Sequence, residues 1–326
     1  MLIGIGFLAL GAVGMVAGSP MVGRTAGALG ARAGLPEAPV RAVAIGLGSS
    51  LAATVVAAGR NLMPMGGGIP FGAIMFVVAA AFGAALLLGR RPADVRDPMA
   101  LAAPAGGLLL VALMAADRAF VRFEGILLAL VFLPYMAWAA LEWRDPSVVP
   151  EPEAAPDPNL PRLPPPPGAA APPAEPARPA VPLRPLAGLA GLVLVAGGAL
   201  ALVEGALRVA REAPLVPGFA GAVIVGTIAS LPFVLSVVFP RRRSIVGDPR
   251  AAASAVVAGL ATFVPGVAAV VRPFELDGPA TIALLGGAGL YALATAWMLI
   301  RGRGGRVLGV AVLVAYAAVL SYAASL

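Results

Sequence analysis

The chain has 326 residues, 60% of them apolar and 12% charged, with a mean hydropathy of +0.94 and a formal net charge of +7. Soluble domains run near half apolar and a quarter charged, so this composition defines an integral membrane protein. There is no cysteine and no histidine, which excludes disulfides, thiolate metal sites and imidazole ligands, and removes the side chain best suited to titrate near neutral pH. All 23 basic residues are arginines, scattered through short loops rather than gathered in a patch, so nucleic acid is not an expected partner. No phosphate loop, Ser/His/Asp set or metal-ligand cluster is present, and neither an enzymatic activity nor a cofactor is expected.

The N-terminus is apolar from Leu2 to Ala17 with no basic residue before Arg24. A cleaved leader wants a positive n-region, so this stretch reads as a first transmembrane helix. A bilayer core needs about 20 apolar residues per helix. That rule gives ten spans, at 1–18, 36–58, 67–89, 99–116, 122–141, 186–207, 215–239, 251–271, 278–300 and 306–325. Between the fifth and sixth, residues 144–185 hold 16 of the 33 prolines. Proline blocks helix, so this reads as an extended or disordered linker of polyproline II character, either a tether or a docking site for a proline-recognising partner. The expected organisation is a first five-helix membrane repeat at 1–143, the linker at 144–185 and a second five-helix repeat at 186–326.

Orientation follows from the arginines. Loops after odd-numbered spans carry seventeen: Arg24, Arg32, Arg41, Arg90, Arg91, Arg96, Arg144, Arg162, Arg178, Arg184, Arg241, Arg242, Arg243, Arg250, Arg301, Arg303 and Arg306. The other loops carry six: Arg60, Arg118, Arg122, Arg208, Arg211 and Arg272. The positive-inside rule then puts the linker in the cytoplasm and both termini outside, in a multi-pass protein of the cell's inner (plasma) membrane. Five spans per half force the halves to enter from opposite sides, which is an inverted repeat.

The halves also share a plan. Gly18–Ala53 and Gly198–Phe233 align without gaps at an offset of 180 residues, with nine identities that include Leu35/Leu215, Gly46/Gly226 and Ser50/Ser230. Each copy runs from an apolar end through a charged break into a small-residue helix ending in Ser-Leu. Glycines and alanines throughout the spans imply close helix packing. Pro70, Pro104, Pro134, Pro232 and Pro265 lie in or near spans, where they would kink or break them.

These residues resemble the calcium/cation antiporter superfamily, the sodium/calcium exchanger membrane fold. That family has ten spans in two inverted halves, a central cytoplasmic loop, a Gly-Thr-Ser-Leu-Pro-Glu motif in each half and, further on, a Gly-Asn-x-x-Gly-Ser-Asn motif. Gly48-Ser49-Ser50-Leu51 and Ser230-Leu231-Pro232 sit on the first motif, and Gly68 and Gly72 keep the glycine spacing of the second. Glu204-Gly205-Ala206, Glu124-Gly125 and Asp277-Gly278 match acidic-Gly pairs common in the family. The fold implied is an all-α integral membrane protein of ten transmembrane helices, as two inverted five-helix repeats joined by the cytoplasmic linker.

The departures fall on the ion ligands. The motif glutamates fall on Ala53 and Phe233, and the Ser-Asn pairs fall near Ala73-Ile74 and Ala252-Ala253, with Asp248 near one motif Asn. Calcium takes six to eight oxygens, usually with carboxylates, and a divalent ion without compensating charge is costly in a low dielectric. All 16 acidic residues fall in the linker, in loops or at span ends, so neither calcium held by carboxylates nor proton relay at mid-membrane is supported. Ser49, Ser50, Thr227 and Ser230 remain as candidates for an ion or substrate pathway, with carbonyls freed by a break at Pro232. The competing reading is that these hydroxyls bond back to their own helix. Glu204 is a candidate interfacial acid beside Arg208 and Arg211, and Glu124 and Asp277 suit helix N-termini.

Two functions follow. One is an exchanger-like membrane transport protein with a rebuilt ion site, carrying a monovalent cation or small solute by alternating access around Ser50 and Ser230. The other is a non-transporting structural or partner-binding membrane protein that kept the scaffold. A hydrated cavity between spans 2–3 and 7–8 speaks for the first, and a dry pack of Ala53, Ile74 and Phe233 speaks against it. The bilayer is the partner common to both.

Overall fold

The computed structural model describes residues 1–87, 98–142, 184–238, 249–301 and 305–325. The proline-rich linker lies outside the described residues except Arg184 and Pro185, as do Arg241–Arg243 and Asp248. In the first half α1 is Leu2–Arg32, α2 is Glu37–Gly59, α3 runs through Met63–Val78, Ala79–Ala84 and Ala85–Leu87, α4 is Pro98–Met114 and α5 is Arg122–Glu142. In the second half α6 is Arg184–Glu212, α7 runs through Pro217–Phe219, Ala220–Gly226 and Thr227–Val238, and α8 through Pro249–Ala258, Gly259–Phe263 and Val264–Val271. The last two are α9, Gly278–Arg301, and α10, Arg306–Ala324. The middle segments of α3, α7 and α8 are π-helical. Among the described residues nine helices are long and apolar enough to cross a membrane, and a shorter apolar stretch, Leu101–Asp117, begins within α4 and runs one turn past it.

The expected span 1–18 is too short. Helix α1 continues to Arg32 because Pro20 is accommodated within it and the residues beyond find partners: Gly23 lies against Ile45 of α2, and Thr25 against Gly188 of α6. At 1.5 Å per residue its 31 residues reach about 46 Å, beyond a bilayer core of about 30 Å. It ends where Gly34 takes φ 74°, a left-handed conformation that suits glycine.

The offset of 180 residues is visible in the backbone. The Leu35 amide donates to Gly30 O at 2.9 Å, and the Leu215 amide donates to Ala210 O at 2.9 Å. The same turn therefore leads out of the first helix of each half into the second.

The ends of the helices alternate as the loop charges imply. The Met1 amine pairs with Glu212, and Arg60 pairs with Glu204. Gly218 N–H donates to Asp277, and two short strands, β1 (Ala119–Phe120) and β2 (Phe274–Glu275), pair antiparallel. The Phe120 and Phe274 rings stack at 5.0 Å there. The N-terminus and the loops after α2, α4, α6 and α8 thus share one end of the bundle. Helix α1 starts at that end and α6 finishes at it, which is the inversion expected of two five-helix repeats.

Small residues set the packing. A Cβ on Gly11 of α1 would lie 2.8 Å from Gly198 O of α6, and one on Gly72 of α3 would lie 1.8 Å from Ala222 O of α7. Backbones approach this closely only where no side chain intervenes, which in a bilayer is a main source of helix association. The centre is formed by α2, α3, α7 and α8, while α5 and α10 present exposed leucines and valines outward.

Candidate substrate site

Helices α2 and α7 meet at residues 180 apart. The Ser49 hydroxyl donates to Ala229 O of the other half and lies 3.3 Å from Ile45 O of its own helix. Ser49 and Ala229 hold equivalent positions in the two repeats, so the axis relating the halves passes between them. Ser50, one residue on, is fully buried, and its Oγ has no hydrogen-bond partner among the described residues. Thr54, a turn further along and missed by sequence reasoning, donates to Ser50 O at 2.8 Å.

Ser230 is buried and donates to Gly226 O at 2.8 Å, with Thr227 O at 3.1 Å. It follows the competing reading, as Thr54 does; Ser49 follows it in part and Ser50 does not. Thr227 is not gathered with the serines. Its side chain meets the Tyr316 hydroxyl and lines a small cavity among α3, α7, α9 and α10.

No break occurs at Pro232. The helix Thr227–Val238 runs through it, and the irregular segment is the π-helical stretch Ala220–Gly226 before it. Proline withholds the donor for the carbonyl four residues back. The next carbonyl, Ala229 O, receives Ser49, so the perturbed turn is tied to the opposite half rather than opened.

Ala53 and Phe233 are both buried, as are Ala73, Ile74, Ala252 and Ala253. Ala53 belongs to an apolar cluster with Met65, Leu202 and Val225, whereas Ile74 and Phe233 belong to the larger cluster on the α8 and α9 side. The dry packing weighed against transport is therefore present residue by residue, divided between two apolar clusters.

Glu204 of α6 is paired with two arginines. Arg60 Nη1 reaches it at 2.7 Å and Arg208 Nε at 2.8 Å, while the Arg208 guanidinium lies 4.8 Å from the Phe7 ring centre. Glu124 accepts the Val121 amide at 3.0 Å, and Asp277 accepts the amides of Ala280 at 3.0 Å and Gly218 at 2.8 Å. Glu124 and Asp277 are thus each spent on helix-end amides. Among the described residues no group of three acidic side chains is placed to hold a metal.

Sequence reasoning also missed a second buried polar set. Tyr291 of α9 is fully buried, with its hydroxyl 3.0 Å from Leu101 O and 3.1 Å from Ser254 Oγ. One tyrosine in an apolar span was the only sign of it.

Ten helices in two inverted halves, crossing at a pair of buried serines, define a membrane protein built as secondary transporters are built. Residues 3–141 match the model of the sodium/calcium exchanger protein family. The sodium-calcium exchanger NCX_Mj, soaked with 100 mM Na+ and 10 mM Sr2+, superposes with a TM-score of 0.62 at 17% identity, covering 98% of each chain. The H+/Ca2+ exchanger CAX superposes with a TM-score of 0.67 at 14% identity, covering 98% of this chain and 85% of that one. No curated protein matches in sequence. The resemblance to the calcium/cation antiporter superfamily thus holds in sequence over the first half and in fold over both.

Proposed function

We propose that the protein is an exchanger-like membrane transporter whose ion site is rebuilt from hydroxyls and carbonyls, carrying a monovalent cation or small solute by alternating access. The observation that carries this reading is the serine pair at the crossing of the halves. Ser49 is bonded across to the other repeat, and Ser50 is buried with no hydrogen-bond partner among the described residues. A buried hydroxyl left unsatisfied costs about 1–3 kcal/mol, a cost that a coordinated ligand offsets. Oxygens without formal charge suit a monovalent ion or neutral solute better than calcium. In this reading Ala53 and Phe233 stand where the family's carboxylates stand, residues 1–143 and 186–326 are the two moving halves, and 144–185 is their cytoplasmic tether. Both termini face outward across the plasma membrane.

A second reading is favoured by the burial of Ala53, Ile74 and Phe233 among apolar neighbours: a scaffold that no longer transports and serves a partner, through the linker or its surface. Flux in proteoliposomes separates the two. Sodium or potassium gradients are imposed, with calcium as the competing ion. Transport predicts flux that the Ser50→Ala/Ser230→Ala double variant loses. Flux no greater than in empty liposomes, from protein shown to be folded and inserted, rejects transport of those ions and leaves the scaffold.

A further inference from the structure

A cavity of about 240 Å³ lies between α4, α5 and α8, away from the serine crossing. Two of its walls are cut from small residues, Ala103 and Gly107 of α4 and Ala258 of α8, and the third is an aromatic ladder, Phe132, Tyr135 and Trp138 of α5. Phe132 and Tyr135 lie 6.1 Å apart between ring centres, and Tyr135 and Trp138 lie 5.9 Å apart. The ladder follows from the sequence, since three aromatics at spacings of three fall along one side of α5. The room follows from glycine: a Cβ on Gly107 would meet only the Thr262 methyl, at 3.3 Å.

We propose that this cavity is a lateral lipid site that takes one acyl chain from the surrounding bilayer. Its open side includes Val131, and α5 continues around it with exposed Leu127, Leu130 and Leu133, so the mouth is continuous with the hydrocarbon-facing surface of the protein. Among the described residues no charged side chain lines it, and the Thr262 hydroxyl is already spent on Ala258 O at 2.8 Å. A charged or strongly hydrated ligand would go uncompensated there. Apolar cavities of even about 150 Å³ stay dry and take hydrocarbon guests. The volume falls below the roughly 300 Å³ where sites for drug-sized molecules begin, which fits a length of chain rather than a whole lipid or a large ligand. The site is separate from the serine crossing and stands whether or not the protein transports.

Trp138 supplies the probe. The chain has three tryptophans, and Trp143→Phe with Trp297→Phe leaves Trp138 alone in the full-length protein. That protein is reconstituted into phosphatidylcholine vesicles with either plain or dibrominated acyl chains, and its fluorescence is compared. A chain seated in the cavity predicts strong quenching by the brominated lipid, at least halved when Gly107→Leu fills the site. Ala103→Leu fills it from a neighbouring position and serves if the first variant fails to fold. Equal quenching in the open protein and in a folded filled variant would mean general contact with surrounding lipid only, and would overturn the proposal. So would quenching of Trp138 by aqueous acrylamide in place of the brominated chains, which would make the cavity a water-filled one.

Discussion

Two cavities occupy corresponding places in the two halves and differ greatly in size. The one between α4, α5 and α8 holds about 240 Å³, and the one among α3, α7, α9 and α10 about 10 Å³. Each lies between the fourth and fifth helices of its own half and the third helix of the other. They sit toward opposite ends of the bundle. Ala103 and Trp138 lie toward the arginine-rich end, whereas Phe219, Pro279 and Ala323 lie at the end that joins the strands. The inverted repeat fixes where both cavities fall, and side chains decide which stays open. Met75, Tyr316 and Leu320 fill the second, where Ala103, Gly107 and Ala258 leave the first empty. The narrow cavity is also at the end that carries the ion pairs and strands joining the halves, Met1 with Glu212, Arg60 with Glu204 and β1 with β2, together with the Gly218–Asp277 tie inside the second half. The two halves share a topology without sharing a degree of closure.

The largest effect should come from glycines on the two sides. Gly72→Ala drives a Cβ into the Ala222 carbonyl at 1.8 Å, where only backbone stands to give way. Overpacking typically costs about 1–3 kcal/mol and more when backbone must move, so a loss of at least about 3 kcal/mol is expected. Gly107→Ala meets one methyl at 3.3 Å and should change stability by less than about 1 kcal/mol. Thermal melting of the two variants in detergent checks the contrast. Similar melting points would mean that the small cavity is not the tighter of the two.

Next is the tie at the closed end. Asp277 accepts amides from the starts of both α7 and α9, so Asp277→Ala removes a cap from one helix and a bond between helices. A lost cap costs about 0.5–2 kcal/mol. The cavity beside it should also loosen. Because the chain has no cysteine, Ala283→Cys in the cavity wall reports this directly: its labelling rate by a thiol reagent should rise when Asp277→Ala is added. An unchanged rate would mean that packing alone keeps this cavity shut.

Much of this plan was legible. Ten spans, their alternation and the offset between halves follow from hydropathy, arginine placement and a pattern of small residues, all of which act over whole helices. The details of the site were less so. Pro232 reads as a breaker because local sequence cannot show that Ser49, on a helix from the other half, bonds to the carbonyl beside the perturbed turn. The length of α1 was hidden for the same reason, since residues beyond Gly18 look polar until α2 and α6 are set against them. The asymmetry of the cavities depends on which small residues face which aromatics across three helices, and spacing along one helix does not carry that information.

A smaller effect is expected at the crossing itself. Ser49→Ala removes the hydrogen bond that ties α2 to α7, and such bonds between membrane helices average about 0.6 kcal/mol, with a maximum near 1.7. The melting point should fall slightly, and neither cavity should change, since neither is lined by Ser49. Brominated-lipid quenching of Trp138 would therefore stay at its original level. A drop in that quenching would mean that the crossing, rather than the local side chains, sets the width of the larger cavity.

The smallest effect should be at Glu204, and its size separates two explanations of the closed end. Its carboxylate holds Arg60 from the α2–α3 turn and Arg208 from its own helix, but the side chain remains 26% exposed and Arg60 44%. Ion pairs this open to water contribute roughly 0.2–1 kcal/mol and are screened by salt. Glu204→Gln should lower stability by no more than that at low ionic strength, and by less as salt is added, with labelling of Ala283→Cys unaffected. If instead the variant exposes that cysteine as strongly as Asp277→Ala does, the end is held by its charges. An effect confined to low salt, with the cavity still closed, means that the bonded strands and the Asp277 tie hold the end, and that Glu204 only decorates it.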